Sequence, residues 1–342
     1  MKAIEYGVKV GRLHAGLKNC ITDVPGVMVG HVTLDYHLGE NGEDYACTGV
    51  TAILPHNGNL FKEKVTAASY VINGFGKTTG LVQVNELGVL ESPIMLTNTF
   101  GVPAVTQGTL AYMLKQNPEI GDTTGTINVV VGECNDSYLN SIRLFPVKPE
   151  HAIEAINKAS TQQAVEGAVG AGKGMVCFGY KGGIGSSSRI VEGYTVGCLV
   201  LSNFGKQEEF RAFQYDETGL QESADGSIII VLATDAPLSD RQLLRVAKRC
   251  GIGLGRTGSH FGNGSGDIVI AFSTSQRIAH DSEETTEVRT QLREDQPIMN
   301  ELFTAAAEAA EEAILNSLSQ AVTTKGRAGR MVNALDFTKV GQ

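Results

Sequence analysis

Residues 251–274 read GIGLGRTGSHFGNGSGDIVIAFST. The stretch opens glycine-rich, reaches Asn263-Gly264-Ser265-Gly266-Asp267, and runs directly into an apolar segment from Ile268 to Phe272. Both alternation classes of that segment are apolar: Ile268, Ile270 and Phe272 on one side, Val269 and Ala271 on the other. This is the pattern of a strand buried on both faces. Ser265 therefore stands at the mouth of a core strand, between two glycines. Neither carries a Cβ, so the Gly264-Ser265 peptide bond can be approached closely and can tolerate strain.

A hydroxyl beside a strained peptide can attack its own preceding carbonyl and give an ester that water then opens. The chain would be cut, and Ser265 would become a new N-terminus with its α-amine close to its own Oγ. An α-amine titrates at about 8, so part of it is neutral at pH 7 and can act as general base. One residue would then supply both nucleophile and base. The alternative reading of Asn263-Gly264-Ser265-Gly266 is a plain turn before a core strand.

Outward from this stretch, the 342 residues suffice for a large core, with 42% hydrophobic and 19% charged residues, an ordinary globular composition. The 41 glycines suggest many tight turns and close backbone approaches, and tryptophan is absent. The net charge of −9 makes nucleic acid an unexpected partner. Six cysteines (Cys20, Cys47, Cys134, Cys177, Cys198, Cys250) are scattered without a CxxC pair, as expected of buried free thiols in a reducing cytosol. The first residues lack the apolar core of a secretory signal, and no apolar run is long enough to span a bilayer, so the expected location is cytoplasmic. The seven histidines form no HxxxH or HExxH pair, so no metal and no cofactor is expected. His260, five residues before Ser265, reads as a loop residue.

Strands are expected over 27–32, 48–54, 81–84, 93–96, 127–132, 194–201, 228–233 and 268–272, and helices over 103–114, 151–163, 239–250 and 301–321. Residues 1–20 read as an arm, and 280–296 as an exposed loop or polar helix. Residues 167–173 match GxxxxGK, but Gly174 replaces the Ser or Thr that would hold magnesium. Gly251, Gly253 and Gly255 lack GxGxxG spacing. Both glycine sets read as loop and hairpin residues rather than nucleotide cradles.

Three further residues carry candidate chemistry. Glu133 ends an apolar strand inside the polar cluster Glu133-Cys134-Asn135-Asp136, where a carboxylate can hold a substrate ammonium or simply bond to nearby amides. Asn203 ends another strand, before Phe204-Gly205; its amide can donate to an oxyanion or form a turn. Tyr138 adds a hydroxyl near Glu133.

Over nearly its whole length the chain resembles the self-processing aminopeptidases that include L-aminopeptidase/D-Ala-esterase/amidase and the bacterial β-peptidyl aminopeptidases. The resemblance is carried, in the family's order, by ITDVPGVMVGHVTL (21–34), VVGECNDSYLN (130–140), GAVGAGKGMVCFGYKGGIGSSSR (167–189), VGCLVLSNFG (196–205), SIIIVLATDAPL (227–238) and RTGSHFGNGSGDIVIAFST (256–274). It implies a single α/β domain over 1–342, a four-layer α/β/β/α sandwich like that of N-terminal nucleophile hydrolases. It also implies self-cleavage between Gly264 and Ser265 into chains 1–264 and 265–342, with Ser265 as nucleophile. A supporting carboxylate aligns with Glu311, although the hydroxyl expected beside it is replaced by Ala309 or Ala310. The implied substrates are short peptides, amides or esters, including D-Ala or β-amino acid substrates, and the implied assembly is a homo-oligomer of processed heterodimers, a tetramer. Two other functions compete. An acyltransferase resembling ornithine acetyltransferase is disfavoured by Ser265 where that family uses threonine. An unprocessed homologue acting as a binding protein would stay as one intact chain.

Overall fold

The computed structural model describes residues 1–40, 42–211 and 226–340. Its strands are β1 (Met28–His37), β2 (Tyr45–Leu54), β3 (Glu63–Gly74), β4 (Val89–Leu90), β5 (Ile94–Asn98), β6 (Val130–Cys134), β7 (Val176–Cys177), β8 (Tyr180–Lys181), β9 (Gly183–Val191), β10 (Tyr194–Asn203), β11 (Ser227–Thr234), β12 (Gly266–Ala279), β13 (Thr324–Lys325) and β14 (Met331–Val332). The helices are α1 (Leu81–Leu87), α2 (Val102–Gln116), α3 (Pro149–Asn157), α4 (Asp240–Ala247), α5 (Cys250–Thr257) and α6 (Ile298–Ser319).

Two sheets form the centre, one ordered β1-β2-β5-β6 and the other β4-β3-β12-β11-β10-β9. Their apposed faces share one apolar cluster. Ile53, Ile94, Leu96 and Val130 come from the smaller sheet and Leu199, Leu201, Ile229, Val231, Ile268, Ile270 and Phe272 from the larger. The outer face of the larger sheet (Val196, Val200, Ile230, Val269, Ala271) packs on α4, α5 and α6. The outer face of the smaller sheet (Val32, Val50, Ala52, Met95, Val131) packs on α2 and α3. The layers thus run α/β/β/α, a sheet-on-sheet core closed by helices on both sides.

Period-2 alternation explains the sandwich. In β12, Ile268, Ile270 and Phe272 point between the sheets while Val269 and Ala271 point to the helices, as the doubly apolar sequence requires. β12 runs parallel to β11 and antiparallel to β3, so it is paired along both edges at the centre of its sheet.

Several elements differ from expectation. Residues 81–84 are helical, in α1, because Gly80 (φ 81°) and Gly88 (φ 66°) bracket a two-turn helix; four apolar residues alone do not distinguish strand from helix. The segment 239–250 is split into α4 and α5, and Gly251, Gly253 and Gly255 lie within α5 rather than in a loop. Gly253 serves packing: a Cβ there would stand 2.3 Å from the Ala307 carbonyl oxygen of α6. The helix expected over 151–163 ends at Asn157, and the glycine-rich 167–189 region resolves from Gly183 into β9. The N-terminal arm is pinned. Lys2 Nζ is buried, donates to the carbonyls of Asn19 (2.6 Å) and Ser186 (2.9 Å), and pairs with Glu166 at 2.6 Å. All six cysteines are buried and free. Among the described residues no helix is long and apolar enough to cross a membrane.

Candidate active site

The larger sheet brings three strand ends together at Ser265. Asn203, the last residue of β10, faces Ser227, the first of β11. Ile228 pairs in turn with Asp267 of β12. Ser227 Oγ accepts the Gly266 N–H at 3.1 Å. Parallel pairing of β11 with β12 therefore brings the serine level with the end of β10, with β11 between them, and the hydrophobic burial of these strands fixes the position.

The segment before Ser265 forms a turn in which the Ser265 N–H donates to Gly262 O at 2.9 Å. Asn73, at the end of β3, clamps it. Its Nδ2 donates to the carbonyls of Ser265 (2.5 Å), Gly262 (3.0 Å) and Asn263 (3.2 Å). Phe75 N–H also donates to Ser265 O, at 3.2 Å. Glycine is required at 266, where a Cβ would come within 2.6 Å of the Phe75 carbonyl oxygen. The Ser265 side chain is 5% exposed, and its hydroxyl donates to Asp267 Oδ1 at 2.6 Å. Burial raises the Asp267 pKa to about 6, against the stabilising bond from Ser265.

Glu133 lies in β6 of the facing sheet, 2% exposed. One of its oxygens accepts the Lys77 N–H at 3.0 Å, and the other accepts from the Thr99 hydroxyl. Gly76 separates it from the serine: a Cβ on Gly76 would lie 3.8 Å from Gly266 Cα and 4.0 Å from Glu133 Oε1. Asn203 is held at both ends of its amide, Oδ1 accepting from Val176 N–H (2.9 Å) and Nδ2 donating to Asn135 O (3.1 Å). That last bond ties the end of β10 to the turn after β6. Three residues after Asn135, Tyr138 lies under the Arg330 guanidinium, 5.0 Å above its ring.

Asn203 and Glu133 thus come to the Ser265 end of β12, Asn203 through the β10–β11–β12 ladder and Glu133 across Gly76. Glu311 is engaged elsewhere, on α6, in an ion pair with Arg256 of α5 at 3.2 Å. Among the described residues no hydrogen bond joins Glu311 or Tyr138 to Ser265. His260 is an exposed loop residue. Also among the described residues, no group of three or more His, Cys, Asp or Glu side chains is placed to hold a metal ion. Sequence reasoning missed Asn73, Ser227 and Asp267. Asp267 was in view as the second residue after the serine, a spacing at which a strand returns a side chain to the same face; the other two depend on long-range pairing.

A buried serine hydroxyl bonded to a carboxylate, with an amide donor and a second carboxylate nearby, is suited to acyl transfer from an amine-bearing substrate. Comparison with known proteins agrees. The sequence model of Peptidase family S58 matches residues 19–332. The chain is 40% identical to the β-peptidyl aminopeptidase BapA of Sphingosinicella microcystinivorans over 95% of its length and 87% of that protein's. It superposes with a TM-score of 0.90 on the crystal structure of the PH0078 protein from Pyrococcus horikoshii OT3, at 49% identity and covering 98% and 96% of the two chains. It superposes with a TM-score of 0.91 on the L-aminopeptidase D-Ala-esterase/amidase of Ochrobactrum anthropi, a variant of the Ntn hydrolase fold, at 34% identity and 98% and 96% coverage. With its family match extending over most of its residues, this chain belongs to peptidase family S58 and is an aminopeptidase of the Ntn hydrolase fold.

Proposed function

We propose that the protein matures by cutting its own Gly264-Ser265 bond and then works as a serine aminopeptidase with Ser265 as N-terminal nucleophile. The observation that carries this reading is the placement of Ser265, buried at the mouth of the central strand β12 with its hydroxyl already bonded to a carboxylate. After cleavage the freed α-amine accepts the Oγ proton as the oxygen attacks the first carbonyl of a substrate. Asn203 supports the developing oxyanion: one N–H of its amide is held by Asn135 O, and the second has no partner among the described residues. Glu133, with one bond to each oxygen among the described residues, receives the substrate ammonium. Tyr138 borders this site on the turn after β6. Glu311 acts at a distance, through Arg256 at the end of α5, on the segment that leads to the scissile bond.

The substrates on this reading are short peptides, amides or esters with a free amine. The names of the relatives point to β-amino acid and D-alanyl substrates. Six buried free thiols fit a reducing cytoplasm, and the processed heterodimers associate further, as a tetramer with dihedral symmetry. The deciding experiment compares the wild type with Ser265→Ala. The wild type should give two fragments, the smaller beginning Ser-Gly-Asp-Ile, and release N-terminal residues; the variant should remain one inactive chain. A wild type that stays intact yet hydrolyses substrate at full rate would refute the N-terminal nucleophile.

A further inference from the structure

Turnover and maturation need different bases. In the uncut chain the Ser265 nitrogen is a peptide amide donating to Gly262 O, so it has no lone pair to accept a proton. The base proposed for turnover does not exist when the first cut is made. Another group has to take the Ser265 hydroxyl proton at that stage.

Asp267 is in position. Its Oδ1 accepts the Ser265 hydroxyl at 2.6 Å, and its backbone is fixed by pairing with Ile228 on one side and Asn73 on the other. The residue is fully buried, and its Oδ2 has no hydrogen-bond partner among the described residues, so the carboxylate is not spent on a structural network. Of its neighbours, β3 presents Asn73 and β11 presents Ser227 and Ile228, none of them charged. The facing β6 presents the Cys134 thiol, pushed up by burial and by the charges of Glu133 and Asp267. No cation among these groups holds the carboxylate ionised.

We propose that Asp267 is the general base of self-cleavage, distinct from the α-amine that serves each later turnover. The proposal rests on the self-cleavage described above. As Oγ bonds to the Gly264 carbonyl carbon, its proton passes to Asp267 Oδ1 and the carbonyl π pair moves onto oxygen. The tetrahedral centre then collapses by breaking its bond to the Ser265 nitrogen, which takes the proton back from Asp267. The product is an ester between Gly264 and Ser265 Oγ. Water adds to that ester, Oγ leaves with a proton, and Gly264 ends as a carboxylate opposite a free Ser265 amine. No other reactant is consumed. Burial that lifts the Asp267 pKa to about 6 leaves it mostly ionised at neutral pH and more basic than an exposed aspartate.

The test follows the freshly made full chain, synthesised cell-free with a labelled amino acid and timed on denaturing gels. Asp267→Asn keeps an acceptor oxygen for the serine hydroxyl and nearly the same volume, but is no base. Its cleavage should slow by about 100-fold or more, the usual range for losing a general base. Its residual cleavage should also lose the slowing that wild-type cleavage shows as pH falls from 8 to 5. A purely structural aspartate would lower the rate and leave that pH profile in place. Cleavage of Asp267→Asn at the wild-type rate overturns the proposal. Should that variant aggregate, the wild type decides: its cleavage should slow as pH falls from 8 to 5, and a flat profile over that range overturns the proposal. A wild-type chain that never cuts between Gly264 and Ser265 overturns self-cleavage as well, an outcome distinct from both.

Discussion

Asn203 stands opposite Ser227 in the β10–β11 ladder, and the same Ser227 holds the Gly266 N–H at 3.1 Å. One cross-strand pair therefore locks the proposed oxyanion donor to the residue that follows the proposed nucleophile. Asn203→Ala should lower kcat by about 100- to 1,000-fold, the usual cost of one such donor, while KM stays within about threefold, since the donor acts on charge that appears only in the transition state. Steady-state kinetics on an aminoacyl p-nitroanilide measures the split. A change confined to KM would remove Asn203 from the oxyanion site.

Glu133 offers the complementary case. If its carboxylate receives the substrate ammonium, Glu133→Gln should raise KM by about 10- to 100-fold, the worth of a charge-assisted bond. The same variant should be indifferent to pH changes that titrate the substrate amine, whereas the wild type should weaken as that amine is deprotonated. Kinetics across pH 6 to 9 checks both. An unchanged KM would return Glu133 to a structural role, bonding the Lys77 amide and the Thr99 hydroxyl.

Lys181 is fully buried and donates from Nζ to three carbonyls, Gly172 at 2.9 Å, Met175 at 2.7 Å and Gly182 at 2.9 Å. The N–H next along from Met175 is that of Val176, which holds Asn203 Oδ1. Lys181→Met removes all three bonds at once and should destabilise the fold by about 3–5 kcal/mol. Urea unfolding in a Ser265→Ala background, where the chain stays single, gives the number. A loss below about 1 kcal/mol would mean that other groups meet those carbonyls.

Asp136 sets a pH dependence. It is buried, one oxygen accepts from Asn140 at 2.9 Å, the other is unbonded among the described residues, and burial raises its pKa to about 7. The unfolded value is about 3.9, so the folded state binds the proton more tightly. The stability it contributes is present below pH 4 and is lost as pH rises through 7. Asp136→Asn does not titrate. Relative to the parent it should therefore gain on the order of 2–4 kcal/mol between pH 4 and pH 8, by the shift involved. Paired urea melts at the two ends of that range are the measurement, and a constant difference would contradict the argument.

Much of this architecture was legible in the chain because its core strands are apolar on both alternation classes. β11 and β12 had few alternatives with Ile228 to Ala233 and Ile268 to Phe272 so composed. Where the pattern was short or glycine-broken it misled. Leu81 to Val84 are apolar enough for a strand but helical between two left-handed glycines, and Gly251 to Gly255 look like a loop but let α5 press against α6. Ser265, Glu133 and Asn203 were readable as polar residues where apolar strands end. Asn73 was not: its clamp on Ser265 exists only because β3 lies against β12, a pairing of distant segments that no local pattern encodes. Glu311 was placed by resemblance alone, and the structure seats it against Arg256.

If the Gly264-Ser265 bond is cut as proposed, the position of β12, laddered to β11 on one edge and β3 on the other, changes the meaning of folding. Before the cut, an unfolded molecule is one chain, and recovery is first order at any concentration. Afterwards it is two chains, and recovery requires that they meet, so dilution alone shifts the balance towards loss. The central strand of a processed molecule has one unimolecular opportunity to form, before maturation. From then on the enzyme would persist only as long as it unfolds slowly, its lifetime governed by a barrier height rather than by an equilibrium.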